Sequence, residues 1–340
     1  MPRVQRRQAM FRDFDNKSTR QSTIRDTYRA MHEGQTPQFA RTHKKNSQQA
    51  SAQKPRLRIE DIFHLLERIT DDSDPDTDLP QDVHAYQTGE ALRLEYLAAD
   101  NKSLKPRISI RKLFSDAEWK SLPLDYQKLF EKKNLKEFYP EIEDWSWLPM
   151  IGFIHDLGKV LMLPEWGALP QWATVGDTFP VDAPFSKANV FYDEGFYKKN
   201  PGLGHRAHKG GQLFGRYEKK CGFDRVDMSF GHDEYLYQVL KRNHHQLPDE
   251  ALYIIRYHSF YSWHSPRNGP RGYEELASEK DWSLLPLLKA FQKSDLYSKK
   301  GNIPNRDELR EYYYGLIRKF IPGRAESEYS ERLRAAPLMW

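Results

Sequence analysis

The sequence predicts an all-α protein, a single helical bundle with long connecting loops and few short strands. Three observations carry this. Apolar residues recur at helical spacing in segment after segment, alternating strand patterns are scarce, and no internal repeat divides the chain. The composition suits a packed fold: 38% of the 340 residues are hydrophobic and 45 are aromatic, too many for a disordered chain.

The elements follow in order. Ile59, Ile62, Phe63, Leu66 and Ile69 form one helical stripe, ended by the acidic residues 71–76, where Pro75 cannot continue a helix. A second helical pattern follows Val83 and runs towards Leu97, with His84 just ahead of it. Residues 99–143 change character; with 10 basic and 8 acidic side chains they read as a charged helical insertion. Trp147, Leu148, Ile151, Ile154, Leu157 and Leu161 mark an apolar helix over 147–161. Residues 164–225, rich in Gly and Pro, read as long loops with short strands. Helical patterns return over 234–242, 248–258, 284–299 and 307–320; Pro248 with Asp249 and Glu250 suits a helical first turn. The expected organisation is a flexible basic tail over 1–10 and one catalytic domain over 11–340. That domain contains a Ser/Gln-rich linker near 44–56 and the insertion.

Several classes fall away. No apolar run approaches about 18 residues, so no membrane span is expected. The N-terminus has Arg3, Arg6 and Arg7 but no apolar core behind them, unlike a secretory signal. Cys221 is the only cysteine, which excludes an intramolecular disulfide or a cysteine metal cluster and fits a cytoplasmic location. The formal charge of +5 hints at nucleic acid, but residues 1–56 carry 13 basic against 4 acidic side chains. The basicity therefore belongs to one arm, the rest is net acidic, and no nucleic-acid motif accompanies the arm. Neither nucleic acid nor membrane is expected as a partner, and the chain is expected to be a monomer.

The chemistry lies in the histidines. His155-Asp156 interrupts an apolar helix, where an uncompensated charged pair costs several kcal/mol. A metal ion would compensate it, since imidazole and carboxylate are good ligands for Fe, Mn or Zn. Neighbouring helical residues point about 100° apart, so a shared ion requires special geometry or a carboxylate bridging two ions. His84, His232, His258 and Asp295 lie on other helical segments, Asp295 one turn after Phe291. Each alone also reads as a hydrogen-bonded core residue. Their order along the chain, His, His-Asp, His, His and Asp, is what sets them apart.

That order resembles the HD-domain superfamily of helical metalloproteins. The local sequences are similar to the myo-inositol oxygenase family: residues 72–76, His84 with 87–90, His155 to Lys159, 175–180, 231–235, 256–261, 295–299 and 11–14. The resemblance implies an HD-type fold around two iron ions. One iron would be held by His84, His155, Asp156 and Asp295. The second would be held by His232, His258 and the bridging Asp156. It further implies that Arg12, Asp71, Ser73, Lys159, Gly176, Asp177, Ser259 and Lys299 contact the cyclitol. A neutral polyol offers hydroxyls rather than charge, so carboxylates accept from it and lysines donate to it. Asp233 and Glu234 are candidates for orienting the imidazoles.

The implied reaction is four-electron oxidation of myo-inositol by dioxygen to D-glucuronate, opening the ring between carbons one and six. It would use a mixed-valent Fe(II)/Fe(III) pair, with Asp156 and Lys159 in catalytic roles and Lys159 helping a substrate hydroxyl lose its proton. The separation of His84 from His155 departs from the family, and residues 99–143 account for nearly all of the excess. An HD-type metal-dependent phosphohydrolase is the alternative, disfavoured because Asp71 and its neighbours would repel a phosphate.

Overall fold

The computed structural model describes residues 12, 14, 20–49, 56–76, 78–105, 108–202, 214–266, 270–298, 305–322 and 337–340. The described chain is helical, as the periodicity predicts. Its helices are α1 (Gln21–Gly34), α2 (Pro37–Gln48), α3 (Ile59–Phe63), α4 (Gln81–Tyr96), α5 (Asp116–Ser121), α6 (Leu124–Phe130), α7 (Leu135–Phe138), α8 (Trp147–Ile154), α9 (His232–Arg242), α10 (Asp249–Tyr257), α11 (Tyr261–His264), α12 (Glu279–Ser298) and α13 (Arg306–Phe320). One antiparallel pair, β1 (Arg56–Leu57) with β2 (Leu338–Met339), is the only sheet among the described residues. The Trp340 indole N–H donates to the Leu57 carbonyl at 2.7 Å and fixes that edge.

The core centres on α4 and α8, the most extensively packed pair. Every residue of α8 is buried, with Pro149 in the first turn, where its missing N–H has no intrahelical acceptor to lose. Gly152 lets the pair approach, and Gly89 makes room for Tyr313 of α13. A Cβ on Gly152 would lie 3.2 Å from Gly89 Cα, and one on Gly89 would lie 2.7 Å from the Tyr313 hydroxyl. α9, α10 and α12 complete the bundle, α12 packing on both α4 and α10. No helix among the described residues is long and apolar enough to cross a membrane.

Three expectations are corrected. The helix expected over 147–161 stops at Ile154; the chain leaves it at Asp156 (φ −92°, ψ 1°) and continues as a 3-10 turn over Leu157–Met162. Residues 44–48 of the expected linker are the last turns of α2, where Ser47 is buried. Residues 50–55 and the expected tail 1–10 lie outside the described residues. Over 164–225 the described chain forms 3-10 turns and no strand; Pro180 and Met228 make one isolated bridge. Aromatic burial orders this stretch in place of strand pairing, with Phe179, Phe185 and Phe223 all in the core.

The expected insertion is helical and packed. α5, α6 and α7 turn Trp119, Phe130 and Leu135 into the common core and leave most of their charges in water.

Candidate metal centre and substrate pocket

Five segments bring six side chains together at the centre of the bundle. His84 is in the first turn of α4, inside the helix rather than ahead of it as the sequence indicated. His155 and Asp156 occupy the break after α8, His232 opens α9, His258 closes α10, and Asp295 lies near the end of α12. All six are at most 4% exposed. The break gives Asp156 near-bridge backbone angles. The two neighbours can therefore face one centre, which a continuous helix would not allow.

Asp156 faces both ways. Its Oδ2 is 3.3 Å from His155 Nε2 and 3.7 Å from His84 Nε2. Its Oδ1 is 3.2 Å from His232 Nε2 and 3.8 Å from His258 Nε2. Asp295 Oδ1 completes the first side, 2.8 Å from His84 Nε2 and 3.5 Å from His155 Nε2. His84, His155 and Asp295 lie close enough to share one ion, and so do His155, Asp156 and His258.

The imidazoles are turned for ligation. His155 Nδ1 lies 2.8 Å from the Gly152 carbonyl, His232 Nδ1 2.7 Å from that of Thr174, and His258 Nδ1 2.8 Å from that of Ile255. A carbonyl only accepts, so each Nδ1 carries the hydrogen and each Nε2 presents a lone pair inward. His232 Nε2 and His258 Nε2 are then 3.0 Å apart, two lone pairs converging in a buried space. A cation relieves that repulsion, and the mixed imidazole and carboxylate donors suit a first-row transition metal. The residues fit a metal centre.

Main-chain carbonyls orient these rings; Asp233 and Glu234 do not. Asp233 accepts from the Thr178 hydroxyl at 2.5 Å, and Glu234 accepts from Arg256 at 2.7 Å and Gln238 at 2.6 Å. Those contacts tie the start of α9 to its neighbours.

A small cavity of about 50 Å³ opens beside the centre. Arg12, Asp71, Ser73, Lys159, Gly176, Asp177 and Ser259 all line it, together with the six central residues. Lys299 lies outside the described residues. Lys159 Nζ donates to Asp71 at 2.8 Å, to Gln81 Oε1 at 2.7 Å and to Asp156 Oδ2 at 3.0 Å. Burial opposes its charge, but Asp156 and Asp71 outweigh burial and raise Lys159 above the usual lysine range. Burial likewise raises Asp71 and Asp156, and the cations around them hold both carboxyls below their usual range.

Across the cavity Arg12 pairs with Asp177 and lies 3.4 Å over the Tyr261 ring. The Tyr28 hydroxyl donates to Asp177 at 2.6 Å. Gln81, Tyr28 and Tyr261 belong to this site and were not singled out in the sequence. Gln81 stands three residues before His84, one helical turn, and that spacing is a signal. Tyr28 offers none, since it looks like any buried tyrosine of α1.

Comparison with known proteins gives the ancestry of this arrangement. The sequence model of the family described as Myo-inositol oxygenase matches residues 21–108 and 127–327.

The chain belongs to the myo-inositol oxygenase family.

Relatives in that family include the inositol oxygenase of Homo sapiens, 37% identical over 322 residues that cover 95% of this chain and 92% of the relative. The inositol oxygenase of Dictyostelium discoideum is 36% identical, covering 92% of this chain and 88% of its own. The probable inositol oxygenase of Oryza sativa subsp. japonica is 35% identical, covering 92% and 84%. The family model leaves residues 109–126 unmatched. They lie inside the expected 99–143 insertion, between His84 and His155.

Proposed function

We propose that the protein is an inositol oxygenase that converts myo-inositol and dioxygen to D-glucuronate by four-electron oxidative cleavage of the ring. The observation that carries the reading is Asp156, whose two oxygens face separate imidazole pairs beside a pocket of internally paired charges. In this reading two irons are held, one by His84, His155, Asp156 and Asp295, the other by Asp156, His232 and His258. When bound, an Fe(II)/Fe(III) pair supplies Lewis acidity and one-electron chemistry toward dioxygen.

The chain's own residues bind and orient the polyol. Asp71 and Asp177 are acceptors for hydroxyls, and Arg12, Lys159 and the Ser73 and Ser259 hydroxyls are donors. Lys159 has an acceptor within reach for each of its three N–H bonds, so it has no lone pair to serve as a base. We assign it the role of proton-holding donor, steadying a substrate oxygen and the Asp156 carboxylate together. Burial of the whole set excludes bulk water from the reacting carbons. The phosphohydrolase alternative finds no support, because Arg12 and Lys159 are already neutralised by Asp177 and by Asp71 with Asp156. A dianionic phosphate would meet carboxylates.

The test is oxygen uptake and uronate formation by iron-loaded, partly reduced protein supplied with myo-inositol. The reading expects one uronate formed per dioxygen consumed. No uptake with any cyclitol, alongside hydrolysis of a phosphate ester, would overturn it.

A further inference from the structure

The unmatched segment 109–126 sends a carboxylate into the interior. α5 opens with a capping box, in which the Ser115 hydroxyl accepts from Glu118 N–H at 3.2 Å and Glu118 Oε2 accepts from Ser115 N–H at 2.8 Å. Those bonds fix one oxygen of Glu118. The other, Oε1, accepts from Lys289 Nζ of α12, a lysine only 5% exposed. Burial pushes Lys289 below the usual lysine range against the pull of Glu118; burial raises Glu118, and the ammonium holds it below the usual carboxylate range. A buried cation on a core helix thus depends on a residue of the unmatched segment.

The contacts continue inward. Lys289 Nζ donates to the Ser265 hydroxyl oxygen at 3.1 Å, which lies 3.1 Å from His264 Nδ1. His264 Nε2 lies 2.8 Å from the main-chain carbonyl of His258. The carbonyl only accepts, so Nε2 carries the hydrogen and Nδ1 of the neutral ring accepts from the Ser265 hydroxyl. The Gln292 amide oxygen also lies 2.9 Å from that hydroxyl, while its buried nitrogen has no partner. Turning the amide over supplies a donor there and leaves the hydroxyl hydrogen for His264. Donors then run in one direction, from the ammonium to the carbonyl. His258 closes α10, so its carbonyl is among the acceptors that a helix end leaves without an intrahelical donor.

We propose that residues 109–126 act as a positioning device for His258, with Glu118 holding Lys289, and Lys289, Ser265 and His264 holding the main chain that carries the His258 ring. The inference rests on the reading of His258 as a ligand of the second metal. Glu118 and Lys289 are positioning residues that touch neither metal nor substrate.

The experiment titrates metal-free protein with cobalt(II), following each equivalent by calorimetry and visible absorption. It compares the wild type with Glu118→Gln, Ser265→Ala and the double variant. Glu118→Gln keeps volume and an acceptor, and Ser265→Ala cuts the relay without unpairing Lys289. The expected result is one equivalent bound as in wild type and the other at least about tenfold weaker in each single variant. The double variant should be no weaker than the worse single, because both changes interrupt one chain. If both equivalents bind as in wild type, or weaken equally while only the melting temperature falls, Glu118 is a structural brace and the inference is overturned. If Glu118→Gln fails to fold, Glu118→Asp, which keeps the charge and draws it back from Lys289, takes its place beside Ser265→Ala and is read by the same outcomes. Wild type binding fewer than two ions would instead overturn the two-metal reading, and this inference with it.

Discussion

At the residue scale, a buried imidazole takes its character from its neighbours. Around Asp156 the rings of His155, His232 and His258 are tethered through Nδ1 and offer Nε2, and Asp156 and Asp295 outweigh burial to raise His155. His32 of α1 is equally buried, but its neighbours are the rings of Tyr28, Phe179 and Phe185, and burial pushes it down to about 3. It stays neutral in the fold while the unfolded chain protonates near 6.5. Its contribution to stability is therefore fully present above about pH 6.5 and is lost as the pH falls towards 3, at up to about 1.4 kcal/mol per pH unit. His32→Leu should flatten the decline in unfolding free energy between pH 7 and 5 by one proton, measured by denaturant titration of metal-free protein. Parallel pH curves for variant and wild type would contradict this. The immediate neighbours do not separate His32 or His264 from the histidines around Asp156, since His32 stands beside Glu33 much as His155 stands beside Asp156. Their order along the chain and the longer motifs around them do.

At the scale of elements, the stripe that predicted one helix over 147–161 was legible, and its break was not. Leu157, Val160 and Leu161 continue the apolar pattern because a 3-10 turn also brings residues three apart onto one side. The break is what turns His155 and Asp156 to one centre, and Gly158 makes it possible. A Cβ there would stand 2.0 Å from the His232 carbonyl oxygen, a backbone atom that cannot move without shifting α9. Gly158→Ala should cost about 1–3 kcal/mol or more, the range of overpacked cores, and should weaken metal binding with it. Thermal unfolding with and without metal checks this, and a variant as stable and as metal-competent as wild type would refute it. Elements set by tertiary contacts were harder to read. The last turns of α2 looked like a linker because Lys45, Asn46 and Gln48 face outward, and residues 164–225 read as long loops with short strands because aromatic packing has no fixed period.

At the scale of the whole molecule, the formal charge of +5 is a sum of unlike parts. Part of the basic arm is satisfied by this chain's own surface. Arg41 and Lys44 of α2 both reach Asp227, at 2.9 and 3.6 Å. Asp156 and Asp295 lie at the centre, where helical segments far apart in sequence meet. Asp156 faces both sides of that centre, and in the proposed function this one carboxylate serves two metal positions. Counting irons per chain in reconstituted Asp156→Ala and His258→Ala tests it most directly. His258→Ala should lose one iron, whereas Asp156→Ala should lose both. Retention of two irons per chain in Asp156→Ala would contradict it.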